Sequence, residues 1–350
     1  MSKKRIGWIA SSLAVLLLLS VPITNWTRAP CCSIILQPQK TGITTLHFFD
    51  ETRQRPVTTE VWYPVDAQAP SKPSVGFWIR CEESRDAPLI FSEKKHPLII
   101  LSHGNGGDRF NLSWLAEILA TNGYIVASMD HYGNTWNNKI PKSYAQPWER
   151  PKDISFVISE MLAHSLFQNH IDEAKIGFAG YSLGGATGMW IAGGQLSDIS
   201  FDAIKEFCVK EMPDIVTADV IADVNFQEAR HSYWDERVSA VLAIAPALGW
   251  MFDDFSLKSI HIPIYIIAAA KDKITPLEKN AKRFSEKISK ATLKVFNNDS
   301  GHYTFLNRAS LIGKRVLESK FCEDPASVDR RQVHEDVGKT AVQFFDETLQ

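Results

Sequence analysis

Hydrophobic positions in this chain follow three rhythms, and the rhythm changes along its length. Leu46 to Phe49 and the alternation Val57, Thr59, Val61, Tyr63 predict an opening antiparallel hairpin. Residues 67–96 are rich in proline, serine and charge and predict a surface excursion. From Pro97 onward the pattern is different. Short unbroken apolar runs, typical of strands buried on both faces, occupy Pro97–Leu101, Ile125–Met129, Lys175–Ala179, Val238–Ala245, Ile262–Ala270 and Leu293–Phe296. Between them lie stretches with helical spacing. These are Leu112–Asn122 (stopped by Gly123), Asp153 to about Phe167 with Asp153 as its cap, Ser182–Ala192, and a terminal helix from about Val333 to Phe345. Strands alternating with helices predict an α/β fold, a mostly parallel sheet with helices on both faces. Residues 195–237 break the alternation. They are polar and partly helical, with Phe201, Ile204 and Cys208 at helical spacing, and are expected to form a small cap insertion over the site.

The amino terminus has its own pattern. Lys3, Lys4 and Arg5 precede an apolar run over residues 6–23, which predicts an export signal. Thr27-Arg28-Ala29 suits a cleavage site and Pro30 opposes it, so residues 1–29 suit a cleaved signal peptide and a signal anchor alike. The expectation is an exported body, periplasmic or secreted, with membrane association through residues 6–23 if the segment is kept. That body is expected to be one α/β domain over residues 41–350.

Composition narrows the partners. Of the 350 residues 45% are apolar and 22% charged, the formal net charge is -2, and no basic block follows the amino terminus. Nucleic acid is therefore not an expected partner. Five cysteines, Cys31, Cys32, Cys81, Cys208 and Cys322, allow up to two disulfides in an oxidising compartment and leave one thiol over. Their spacing does not suit zinc, and no metal or cofactor is expected.

The chemistry concentrates late in the chain. Gly180-Tyr181-Ser182-Leu183-Gly184-Gly185 follows a predicted strand and opens a predicted helix. A serine on such a turn has its hydroxyl exposed at the carboxyl end of the sheet, and the flanking glycines permit the strained backbone. A hydroxyl needs a base, and His302 lies in the loop after the last strand, where it can reach the top of the sheet, whereas His334, the one later histidine, sits in the predicted terminal helix and is expected to face solvent. Asp272, at the end of the run Ile262–Ala270, is the expected acid to orient it, with Asp253 and Asp254 as competitors. Acyl transfer also needs donors for a developing oxyanion. Leu183, directly after the serine, supplies one backbone N–H. The loop Ser102-His103-Gly104-Asn105-Gly106-Gly107 supplies the second, assigned to Asn105, with His103 bracing the loop.

These residues resemble a known group, the α/β-hydrolases that include bacterial proteins labelled dienelactone hydrolases and plasma-type platelet-activating factor acetylhydrolase. The resemblance is carried by Arg55-Pro56, Glu60-Val61-Trp62-Tyr63-Pro64, Ser102-His103-Gly104-Asn105-Gly106, Gly180 to Thr187, Ala243 to Gly249 and Gly301 to Leu306. It implies an α/β-hydrolase fold, a metal-free triad and ester substrates, and it gives the position of Asn105 an oxyanion N–H. There are two departures. Dienelactone hydrolases use a cysteine nucleophile where this chain has Ser182. The acetylhydrolase places its acid near Leu248, so here the acid moves to Asp272. The resulting expectation is a serine ester hydrolase acting on small-molecule or lipid-like esters with a short acyl chain. The alternatives are a serine peptidase on the same fold and a non-catalytic surface binding protein.

Overall fold

The computed structural model describes residues 40–349, apart from Phe91, Asp198, Ile199 and Pro213. The signal segment expected over residues 1–29, together with Cys31 and Cys32, lies outside the described residues. Among the described residues no helix is long and apolar enough to cross a membrane.

The described strands are β1 (Lys40–Asp50), β2 (Arg55–Val65), β3 (Ser84–Arg85), β4 (His96–Ser102), β5 (Ile125–Met129), β6 (Ile171–Tyr181), β7 (Val238–Ile244), β8 (Ile264–Ala269) and β9 (Ala291–Phe296). They form one sheet in the order β3-β1-β2-β5-β4-β6-β7-β8-β9. The β1–β2 hairpin is antiparallel, as its alternation predicts. From β5 to β9 every pairing is parallel. The excursion over residues 67–96 holds one short strand, β3, which pairs parallel with β1.

The unbroken apolar runs are explained by two cores, one on each face of the sheet. Leu98, Ile100, Val241 and Ala243 face one core, while Ile99, Leu101, Ala240, Leu242 and Ile244 face the other. Side chains in a strand point alternately to opposite faces, so a strand covered on both sides must be apolar throughout. The first core is closed by α2 (Glu149–Ala163) and α3 (Leu183–Ile191), through Ile154, Val157, Met161 and Trp190. The second is closed by α1 (Ser113–Thr121) and the terminal helix (Arg330–Thr348), through Trp114, Leu115, Ile118, Val337 and Phe345. Gly123, at φ +95°, ends α1 in the left-handed region.

Two expectations fail here. Asp153 is not the cap of α2. The helix begins at Glu149, with Pro151 in its first turn, where a missing N–H costs nothing. Asp153 is instead buried within the helix and paired with Arg53 and Arg55 at 2.9 and 2.6 Å. The predicted terminal helix is present, but His334 does not face solvent. It stacks on Trp114 with ring centroids 4.0 Å apart, and its Nε2 donates to the Thr304 carbonyl at 3.1 Å.

Candidate active site

The parallel strands converge on one edge of the sheet, and every predicted site residue lies there. β6 ends at Tyr181 and α3 starts at Leu183, so Ser182 alone makes the turn, at φ 56° and ψ -116°. A non-glycine residue held there stores about 1–3 kcal/mol of strain. The turn closes because its neighbours have no side chains. A methyl on Gly180 would collide with the Gly184 carbonyl, and one on Gly184 with the carbonyl of Ser102. The turn is also tied to β7 by the Ser182 N–H donating to Ile244 O at 2.9 Å.

The β8 and β9 loops bring the partners. His302 Nε2 lies 2.9 Å from Ser182 Oγ, and His302 Nδ1 lies 2.7 Å from Asp272 Oδ2. A carboxylate at Nδ1 fixes the proton on that nitrogen and leaves Nε2 to accept from the serine hydroxyl. Asp272 is itself held. Its Oδ1 accepts the N–H groups of Ile274 and Thr275, both at 2.8 Å, and its Oδ2 accepts the Thr275 hydroxyl at 2.8 Å. Burial pushes the Asp272 carboxyl up, but His302 and these donors outweigh it and hold the group below its ordinary value. Tyr181 positions the base by donating its hydroxyl to His302 O at 3.1 Å. The competitors for the acid have other partners. Asp253 caps the short helix Asp254–Lys258 by accepting from Ser256 N–H, and Asp254 pairs with Arg283 and Lys287.

The loop after β4 is fixed from below by charge. Arg150, buried in the first turn of α2, donates to His103 O at 2.6 Å, Gly104 O at 3.0 Å and Asn134 Oδ1 at 2.7 Å. Asn134 Oδ1 also accepts the Gly106 N–H at 3.1 Å, and Asn134 Nδ2 donates to Asn105 Oδ1 at 2.9 Å. His103 braces the same loop, as expected, with Nδ1 donating to Gly104 O at 2.7 Å and Nε2 accepting from His131 N–H at 3.2 Å. Burial, followed by the charge of Arg150, holds the His103 imidazole well below its ordinary value, so it stays neutral. Leu183 is the first residue of α3, and its N–H has no acceptor within the helix.

Ser182 stands where two cavities meet. A larger one of about 670 Å³ is lined by Phe77, Trp78, Trp136, Tyr303 and Phe321 together with Asn105 and His302. A smaller one of about 150 Å³ is lined by Leu183, Leu248, Met251 and Cys208 together with Asn105.

This architecture covers a solved protein almost end to end. The ferulic acid esterase from Streptomyces cinnamoneus superposes with a TM-score of 0.60 at 20% identity, over 92% of each chain. The fold is that of the α/β-hydrolases. In that fold a sharp strand-to-helix turn is the place where a nucleophile can be presented, and Ser182 occupies such a turn here. A family model described as platelet-activating factor acetylhydrolase, isoform II, matches residues 51–139, a stretch that includes the Asn105 loop. The sequence is 22% identical to the lysophosphatidylserine lipase ABHD12 of Macaca fascicularis over 75% of this chain and 61% of that one. It is 24% identical to cutinase est1 of Thermobifida alba over 59% of this chain and 53% of that one. The chain thus spans between about half and three-fifths of the length of these curated relatives. All are named as ester hydrolases.

Sequence reasoning missed the charged floor of this site. Arg150, Asn134 and Asp153 act through partners far away in the chain, and only a buried run containing Arg and Asp hints at them. Of the cysteines, Cys81 is disulfide-bonded, and Cys208 and Cys322 are free. Burial pushes the Cys208 thiol up to about 12, so it stays protonated in the wall of the small cavity.

Proposed function

We propose that this protein is a serine ester hydrolase that works through Ser182, His302 and Asp272 and an acyl-enzyme. The observation that carries the reading is the hydrogen-bonded chain from Ser182 Oγ through His302 to Asp272, opening onto two cavities. Ser182 Oγ attacks the ester carbonyl carbon while His302 Nε2 takes the hydroxyl proton. The carbonyl oxygen becomes negative and is met by the N–H groups of Leu183 and Asn105. Collapse breaks the bond to the alcohol oxygen, which leaves with the proton held by His302, and the acyl group stays on Ser182. Water then attacks the acyl carbon and gives a proton to His302. The second collapse returns that proton to Ser182 and releases the acid.

The expected substrate is a carboxylic or lipid-like ester with a short acyl group. The lysophosphatidylserine lipase, the cutinase and the acetylhydrolase description all support an ester of this broad kind. Residues 195–237 are proposed as a cap, since Met212 from that segment reaches the site wall. Export of the body is part of the same proposal, and cell fractionation of a tagged full chain tests it.

Hydrolysis of p-nitrophenyl acetate by the full chain and by Ser182→Ala tests the reaction. Turnover that disappears in the variant is the expected result. A folded wild-type chain inert toward every simple ester, and unlabelled by a fluorophosphonate, would overturn the reading.

A further inference from the structure

The two cavities at Ser182 are unequal, and they touch the reacting groups differently. His302 lines the large cavity and is absent from the walls of the small one. Leu183, which offers the first N–H after the nucleophile, lines the small cavity and is absent from the walls of the large one. In ester cleavage the departing oxygen must lie within reach of the proton on His302, so the alcohol part belongs on the side that His302 lines. The acyl part is left to the other side.

We infer that the small cavity is the acyl chamber, the large aromatic cavity is the alcohol chamber, and Met212 with Ile274 forms the waist that divides them and limits acyl length. This deepens the ester-hydrolase reading and rests on it. The residues common to both cavities are Asn105, Ser182, Met212 and Ile274. Asn105 and Ser182 belong to the reaction machinery, so the two apolar side chains make the partition. Both are held in place. Ile274 donates its N–H to Asp272 Oδ1 at 2.8 Å, which fixes it at the rim although its side chain is exposed. Met212 follows the helix Ser200–Glu211. It donates its N–H to Cys208 O at 3.1 Å, its carbonyl accepts from Val216 at 2.8 Å, and its Sδ accepts from Asn105 Nδ2 at 3.3 Å.

Size sets the selectivity. An apolar cavity of about 150 Å³ accommodates a benzene-sized group, or about six carbon atoms. The walls include Leu183, Leu248, Met251, Pro147 and Cys208, and the two hydroxyls that line the cavity besides that of Ser182 are engaged elsewhere, Tyr144 donating to Thr135 O at 3.3 Å and Thr275 to Asp272 Oδ2 at 2.8 Å. Leu248 stands where the acetylhydrolase resemblance would have put a carboxylate. It faces the chamber from a left-handed backbone position, at φ 58°. The alcohol side has more than four times that volume and aromatic walls, so it admits a bulky ring-bearing or long apolar alcohol.

Two substrate series test this on the full chain. In the first, p-nitrophenyl esters run from acetate through hexanoate to decanoate. In the second, acetates run from ethyl to hexyl and 1-naphthyl. Wild-type kcat/KM is expected to fall about tenfold or more between hexanoate and octanoate, and to hold or rise along the alcohol series. Met212→Ala opens the waist and raises the octanoate-to-acetate ratio about tenfold, Ile274→Ala raises it less, and Met212→Leu stays near the wild-type ratio. The ratio is read within each variant, so a general loss of activity or folding yield does not mimic the result. A profile broad in acyl and narrow in alcohol overturns the assignment of the chambers. A Ser182-dependent activity whose ratio is unmoved in both alanine variants overturns the waist and leaves the ester reading standing. Hydrolysis undiminished in Ser182→Ala removes that reading, and the inference with it.

Discussion

Among the described residues two serine–histidine–aspartate chains have nearly the same geometry. In one, His302 lies 2.9 Å from Ser182 Oγ and 2.7 Å from Asp272. In the other, His131 Nε2 lies 2.8 Å from Ser102 Oγ and its Nδ1 2.8 Å from Asp153 Oδ2. Distances alone do not separate them. Their surroundings do. Ser102, His131 and Asp153 are sealed beneath the sheet edge, and none of them lines either cavity at Ser182. Asp153 is engaged by Arg53 and Arg55, whereas Asp272 is held by backbone N–H groups and a hydroxyl. Burial raises the Asp153 carboxyl, an effect that Arg53 and Arg150 oppose, and burial holds the His131 imidazole well below its usual range. Ser102 ends an ordinary strand, while Ser182 sits on a strained turn at a helix start with an unpaired N–H beside it. The relay is thus common to both. Access and strain belong to one.

Mutations can break this comparison or sharpen it. Ser182→Ala is expected to lower kcat about a millionfold, whereas Ser102→Ala stays within about tenfold of wild type; single-turnover ester hydrolysis measures both. Comparable losses in the two variants would erase the distinction. Asp272→Asn is expected to cost about ten-thousandfold in kcat with little loss of stability. Asp153→Asn reverses that pattern. It removes one carboxylate from a cluster in which Arg53 keeps Asp50 and Arg55 keeps Glu149, and is expected to cost about 1–3 kcal/mol in urea unfolding. Asn134→Ala frees the Asn105 side chain and the Gly106 N–H, and is expected to lower kcat about tenfold to a hundredfold while KM changes less.

The smallest effect concerns acid stability. His334 is held down to about 3 by burial and by the charge of Arg330. The unfolded chain therefore binds a proton below pH 6.5 that the native state refuses, and stability falls as pH drops from 6.5 toward 3. His103 and His131 act in the same direction. His334→Gln removes one titrating site and should reduce the slope of unfolding free energy against pH by about 1.4 kcal/mol per unit in that window.

What was legible in the sequence was local. Apolar runs such as Ile125–Met129 match their strand residue for residue, because burial on both faces leaves only the small Ser128 as a polar position. That Ser182, Asp272 and His302 lie together was legible because each follows a strand whose place in the order is set by topology. Asp153 was misread as a cap because its partner Arg55 lies 98 residues away and carries no local signal. His334 was misread because the ring that covers it, Trp114, belongs to another helix. Met212 had no signal at all. Its role depends on where the loop after the helix Ser200–Glu211 meets Asn105, 107 residues earlier.

The separation of the triad along the chain has a consequence for folding. Ser182 and His302 are 120 residues apart, and they meet only after β7, β8 and β9 have added in parallel register to β6. Parallel pairing is non-local, and its loop-closure entropy must be met before its contacts form. Ser182 and His302 therefore come together only in the nearly finished sheet. On the proposed mechanism a chain halted before β9 carries Ser182 without His302 to take its proton, and hydrolysis would report on completed folding.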